Sequence, residues 1–197
     1  MKIINYFTKN TPYEFQAKNL EKNLQKFNQD YKMYETTDFG SWELNCAQKP
    51  YIIGLALEEF DDDIFYIDCD ATLLQKPNWE EFKNIDVPSF LIYEFDVNNK
   101  RYWELFSGSI YFPNNKLSKE IIKSWRNTQE KYPTEWDQRT LQAVVDQNKV
   151  PFVPLPYKWC VTHHMQEVEN PIIVHHSISR TYREIINGES QNLERYG

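Results

Sequence analysis

The sequence predicts an α/β protein built as one domain on a largely parallel sheet. Three observations carry this expectation. Strand-like and helix-like segments alternate through the N-terminal third as strand, helix, strand, helix, strand, an order that gives parallel strands joined by right-handed crossovers. Ile64-Phe65-Tyr66-Ile67 is apolar throughout, as a strand covered on both faces must be. A chain of 197 residues with 41% hydrophobic content sustains a core unaided, because a domain of this size buries about 70% of its unfolded surface.

Residues 3–7 (IINYF) read as a short buried strand. Thr11-Pro12-Tyr13-Glu14 then signals a helix start, with Thr11 as cap, Pro12 in the first turn and Glu14 closing a capping box. Tyr13, Ala17, Leu20, Leu24 and Phe27 follow at spacings of three and four, one helical face. Residues 31–35 (YKMYE) form the next strand, and a second helix runs from about Pro50 to Phe60, ended by Asp61-Asp62-Asp63. The second half is richer in strands. SFLIYEF (89–95) and the stretch ending in GSIYF (108–112) read as extended, with helices near 117–130 and 135–147. PIIVHH (171–176) is a late strand, and from Arg180 the chain is polar, a surface helix and tail.

Composition removes several classes. Lys+Arg 22 against Asp+Glu 29 gives a net charge of −7, the wrong sign for a general nucleic-acid binder. No run approaches the ~20 apolar residues of a membrane span, and MKIINYFTKNTPYEF lacks the apolar stretch of a signal peptide. Cys46, Cys69 and Cys160 are widely spaced, without C-x-x-C. They fit a reduced cytoplasmic protein better than a disulfide framework or zinc site, and a cytoplasmic location is expected.

The chemistry concentrates at Asp68-Cys69-Asp70, directly after the apolar strand. Parallel α/β sheets bind ligands beyond the carboxyl ends of their strands. Two carboxylates one residue apart there can reach one hard cation, which in turn carries phosphates. The plain alternative is that Asp68 caps a turn and Asp70 is solvated.

Two families place D-x-D after such a strand. Tyr66-Ile67-Asp68-Cys69-Asp70-Ala71-Thr72-Leu73 resembles the D-x-D-x-T motif of haloacid-dehalogenase-like phosphatases, which would make Asp68 a nucleophile and Asp70 an acid/base. That motif normally sits on the first strand, and the family's later acidic pair has no match downstream of residue 70. The resemblance to GT-A glycosyltransferases, which bind nucleotide-diphosphate sugars, extends over most of the chain. Trp42, Asn45, Lys49 and Pro50 stand as W-x-x-N-x-x-x-K-P, similar to the segment before that family's metal strand. Ile64–Asp70 resembles its metal strand, Pro77 its following proline, and Ser107-Gly108-Ser109-Ile110-Tyr111-Phe112 its glycine-containing strand. Trp136-Asp137-Gln138 with Leu141 resembles its D-Q-x-x-L element, and Ile172–His176 its late strand ending in a metal-binding histidine. The order of these pieces is the family's order.

The resemblance implies a small bacterial or phage-like enzyme with a Rossmann-like, mostly parallel sheet flanked by helices. It would be a single catalytic domain, with a nucleotide-binding half at about 1–76, a donor-sugar and acceptor half at about 77–180, and a polar tail at 181–197. Asp68 would contact the ribose or the metal, and Asp70 would be the firmer ligand of Mn²⁺ or Mg²⁺. His175 or His176 would add an imidazole, which shifts preference toward Mn²⁺. Adjacent strand residues face opposite ways, so one of the two is expected, with His175 favoured. Tyr6, Phe7 and Thr8 would lie by the base, Trp42 near the nucleotide, and Lys49 and Arg180 by the diphosphate. Gly108 and its neighbour Ser109 would sit against the donor. Asp137 would accept from sugar hydroxyls and Gln138 would lie by the reacting carbon, although Thr134-Glu135-Trp136-Asp137 also reads as a capping box. Trp103 and Trp159 are candidate acceptor platforms, and His163 and His164 are loop or acceptor-side residues.

The expected reaction is metal-dependent transfer from a UDP- or GDP-sugar to a saccharide, lipid-linked or protein hydroxyl. Asp137-Gln138 resembles retaining members. An inverting course needs a base, for which Glu94, Asp96 and Glu104 are candidates. The alternatives are the phosphatase and a non-catalytic nucleotide-sugar-binding module.

Overall fold

The computed structural model describes residues 1–162, 165, 167–178 and 182–183. Its N-terminal half follows the alternating pattern. β1 (Lys2–Thr8), α1 (Pro12–Lys26), β2 (Tyr31–Thr36), a short α2 (Trp42–Cys46), α3 (Lys49–Glu59) and β3 (Ile64–Ile67) appear in that order. Thr11 caps α1 by accepting from the Tyr13 amide, and the Glu14 carboxylate reaches back to the Asn10 amide at 3.0 Å. Ala17, Leu20 and Leu24 of the expected face are buried. The α2 turn was not anticipated. Its five residues carry no readable period, and it is held by Ser41, whose hydroxyl accepts from the Leu44 amide.

After β3 come β4 (Ala71–Leu73), a 3₁₀ turn at Trp79–Phe82, β5 (Ser89–Val97), β6 (Lys100–Phe112), α4 (Lys116–Lys131) and α5 (Asp137–Asn148). β7 (Val153–Pro154), a second 3₁₀ turn at Tyr157–Trp159 and β8 (Ile173–His175) follow. The main sheet has the order β2-β1-β3-β6-β5-β7. β2, β1 and β3 are parallel, β6 runs against both β3 and β5, and β7 is parallel to β5. Only β6 is reversed, so the sheet is mostly parallel and flanked by helices, as expected. β5 and β6 are joined through Asn98 and Asn99, both at positive φ, the two-residue turn whose twist suits a hairpin.

Alternate strand residues feed two cores. Ile4, Tyr66, Ile110 and Phe112 pack with α3, α4 and α5, whereas Ile3, Phe65, Ile67 and Tyr111 pack with α1 and the 3₁₀ turns. Both faces of β3 are therefore covered, which accounts for its unbroken apolar run. The late strand β8 does not join this sheet. It pairs antiparallel with β4 as a separate two-stranded ribbon, matching Ala71 to His175.

Two irregularities position the site. The β5–β6 ladder jumps between Phe90/Ile110 and Leu91/Phe106, so Ser107, Gly108 and Ser109 bulge out of it. There β6 turns to β3 instead, and Gly108 accepts from the Asp68 amide at 2.8 Å. The second irregularity is the start of α5. Its cap residue is Trp136, without a side-chain cap. The capping box read at Thr134–Asp137 does not form, because the Asp137 carboxylate turns inward to other partners.

Candidate active site

The ends of β1 and β3, the β6 bulge, the start of α5 and the β4–β8 ribbon converge on two adjoining clefts. The first is lined by Tyr6, Thr8, Trp42, Lys49, Asp137 and neighbours, and the second by Tyr93, Phe95, Glu104, Gly108, Thr162, His175 and neighbours. Asp68, Asp70, Ser107, Trp136 and Gln138 line both.

Asp68, Asp70 and His175 stand at this junction, with one ligand atom from each lying within 4.8 Å of the others. The ribbon brings them together. β8 pairs with β4 immediately after the acids, and His175 Nδ1 lies 3.4 Å from Asp70 Oδ1. Behind the ring, Nε2 is hydrogen-bonded to Ser109 Oγ at 2.8 Å. A Cβ at Gly108 would lie 3.1 Å from His175 Cε1 and 3.2 Å from Nδ1, so the glycine makes room for the imidazole. Asp68 Oδ1 accepts from Tyr66 Oη at 2.7 Å and Lys49 Nζ at 3.0 Å.

Two cations, Lys49 and His175, stand among three carboxylates, Asp68, Asp70 and Asp137. Burial alone would lower the pKa of Lys49, but Asp137 and Asp68 outweigh it and hold the ammonium charged. Burial raises Asp68; Lys49 opposes this, while Asp70 and Asp137 add to it, leaving the group above the ordinary carboxylate range. Burial would also raise Asp70, but His175 holds it below that range. Burial would lower His175, yet Cys160 and Asp70 push it up to about 10.

Lys49 is the buried centre of a second network. Its Nζ lies 2.7 Å from Asp137 Oδ2 and donates to both the Ser107 carbonyl and hydroxyl at 3.1 Å. Ser107 Oγ donates to Asp137 at 2.7 Å. Ser107, which opens the glycine-containing motif in the sequence but carried no role of its own there, thus ties the bulge to α5. Only its place beside Gly108 hinted at this. Gln138 accepts from the Ser107 amide at 3.3 Å and donates to Glu104 Oε1 at 2.8 Å.

Several expectations are corrected by the geometry. His176 points away from the cluster and bonds Thr72 Oγ1 at 3.0 Å, so His175 alone joins the acids. Ser109 is 0% exposed and lines neither cleft; it orients His175 instead of facing a donor. Trp159 is 0% exposed and packed against Phe65, Phe82 and Trp79, which removes it as an acceptor platform. Trp103 stacks on Phe152 and lines neither cleft. Among the three candidate bases Glu104 lines the second cleft, whereas Glu94 and Asp96 line neither.

Tyr6, Thr8 and Trp42 all line the first cleft. Tyr6 donates to the Asn45 carbonyl at 3.0 Å, Thr8 bonds Thr11 at 2.8 Å, and Trp42 Nε1 donates to Tyr13 Oη at 2.9 Å. Arg180, His163 and His164 lie outside the described residues. All three cysteines are free. Among the described residues no helix is long and apolar enough to cross a membrane.

Comparison with solved structures finds the same fold. A glycosyltransferase involved in glycosylation of the major capsid of PBCV-1 superposes with a TM-score of 0.65 at 17% identity, over 95% of this chain and 98% of that one. The Streptococcus pneumoniae TIGR4 glycosyltransferase GlyE gives 0.59 at 13% identity, and its apo form 0.58 at 12%. Each of these two aligns over 95% of this chain, which spans 62% of theirs. At such identities the likeness establishes the fold. No curated protein sequence matches. The profile of the nucleotide-diphospho-sugar transferases matches residues 19–184. That match replaces the phosphatase and the non-catalytic alternatives, and on it the chain belongs to the nucleotide-diphospho-sugar transferase family, an enzyme of the glycosyltransferase class.

Proposed function

We propose that the chain is a metal-dependent glycosyltransferase that moves a sugar from a UDP- or GDP-sugar to a hydroxyl acceptor. The observation that carries this is the gathering of Asp68, Asp70 and His175 at the junction of the two clefts. The donor set fits a hard divalent ion. Two carboxylates suit Mn²⁺ and Mg²⁺, the imidazole favours Mn²⁺, and Gly108 leaves room for the ring to approach. When bound, the ion supplies positive charge that stabilises the departing diphosphate.

The chain's own residues divide the remaining tasks. The first cleft takes the nucleotide, with Tyr6, Thr8 and Trp42 near the base and ribose. This accords with a nucleotide half at about 1–76 and a sugar and acceptor half at about 77–180. Lys49 sets the Asp68 and Asp137 carboxylates in place. Asp137 and Gln138 border the donor sugar, and the resemblance of this pair to retaining members favours a retaining course. Glu104 is the carboxylate placed to hold the acceptor hydroxyl. Lys49 is engaged by Asp68 and Asp137, so of the two cations expected at the diphosphate it is Arg180 that is proposed to contact it. Three free cysteines accord with action in the cytoplasm.

The test is a melting-temperature panel of UDP, GDP and CDP with their sugars, with and without Mn²⁺. One nucleotide should stabilise the protein only with metal, by about 2.7 kcal/mol at a hundred times its dissociation constant. His175→Ala should lose the metal-dependent shift and His176→Ala should keep it. No shift with any nucleotide sinks the proposal, and a shift lost with His176 instead sinks the ligand set.

Gly108→Ala probes the same centre more gently. The new methyl crowds an imidazole already held by Ser109, so the ring must move. Mn²⁺ affinity is expected to fall about tenfold with little change in metal-free melting. Unchanged affinity would remove His175 as a ligand.

A further inference from the structure

The outer half of the β5–β6 hairpin is unlike the rest of the sheet. Tyr93 and Phe95 alternate along β5, and their cross-strand partners on β6 are Glu104 and Tyr102. These four residues share one face of the hairpin. Tyr93 and Phe95 stack with centroids 6.0 Å apart at 22°, and Phe95 and Tyr102 at 5.9 Å and 21°. The result is a continuous aromatic strip. The hydrophobic cores reach Leu91 and Phe106 on this face but include none of the three outer rings.

Tyr93 and Phe95 of this strip form a wall of the second cleft, a cavity of about 550 Å³ that Asp68, Asp70 and His175 also line. Polar groups are set around the strip. Glu104 lies opposite Tyr93 and is held by Gln138 Nε2 at 2.8 Å. Thr162 lines the same cavity, but its hydroxyl is closed off from it and has no hydrogen-bond partner among the described residues.

We propose that this wall is the acceptor platform and that the acceptor is a saccharide, one pyranose ring lying against Tyr93 and Phe95 with a hydroxyl reaching Glu104. A pyranose has a flat C–H face and a rim of hydroxyls. It matches an aromatic wall bordered by a carboxylate, in a cavity of a size that holds small ligands. An acyl chain has no use for the carboxylate. The inference rests on the transferase reading for the fate of the bound sugar, but the binding itself needs neither donor nor metal.

Saturation-transfer difference NMR on the full chain tests it. The probes are methyl pyranosides of glucose, galactose, mannose and N-acetylglucosamine, with mannitol as an open-chain polyol and a serine/threonine hexapeptide as rivals. At least one pyranoside should give a signal centred on its C–H protons, while mannitol and the peptide give none. In the Tyr93→Ala/Phe95→Ala variant that signal should fall about tenfold. The variant should keep the metal-dependent nucleotide melting shift, which shows that it is folded. Phe95→Leu, which keeps the apolar area but loses the ring, should also weaken the signal. No pyranoside signal from the wild type overturns the proposal, as do full signals from both variants or a signal confined to the peptide. Failure of the transferase reading shows separately, as absence of the nucleotide shift in the wild type.

Discussion

Asp70→Ala is expected to reduce sugar transfer on the order of 10³-fold, the scale of losing charge stabilisation at the reacting centre, and to abolish the Mn²⁺-dependent nucleotide melting shift. Asp70 is buried, 3.4 Å from His175, and it is one of three ligand groups in the cluster. Removing it leaves a carboxylate and an imidazole, too few groups to compete with water for a hard ion. The alanine also strips a buried histidine of its charge partner, so some stability falls with it. Asp70→Asn separates these effects, because its amide oxygen can still accept from His175 while the negative charge is gone. Both variants should be inactive, and the asparagine variant should melt closer to wild type. Wild-type transfer by either variant would end the metal assignment.

Lys49→Met is expected to cost about 3–5 kcal/mol of stability, as breaking a buried ion pair does. In a chain of this size that lowers the melting temperature by roughly 6–20 °C. The ammonium side chain is 4% exposed and pairs with Asp137 at 2.7 Å and Asp68 at 3.0 Å. Methionine fills similar volume but leaves both carboxylates uncompensated, one fully inside. The measurement is made in EDTA, since a bound cation would restore part of the lost charge. Adding Asp137→Asn to Lys49→Met should recover part of the loss, because it removes the charge left unpaired. A melting temperature within about 2 °C of wild type would show that Lys49 is not the counter-ion of the buried carboxylates.

Much of the framework was legible because it is written in local spacing. Thr11-Pro12 and the face from Ala17 to Leu24 specify α1 through backbone periodicity and capping alone. The apolar run at β3 announced a strand buried on both sides, and its ending in Asp68 and Asp70 announced chemistry. Trp159 shows the limit. An aromatic residue is equally suited to a core or a sugar platform, and only its neighbours Phe65, Trp79 and Phe82 decide. The bulge at Ser107–Ser109 was hidden for a related reason. It arises where β6 leaves β5 for β3, a contest between partners that β6's own residues do not record.

The sequence by itself determined the order of strands and helices, the acidic pair at the end of β3 and the family's ordered motifs. These depend on contacts between residues a few positions apart. Only the tertiary structure decided that His175 and not His176 joins the acids, because that follows from the register of β8 on β4 across 105 residues. A one-residue slip there would exchange the two rings. It also decided that Lys49 is an internal counter-ion, since the carboxylates on either side of it come from the end of β3 and the start of α5 and meet only when the sheet and helices have packed.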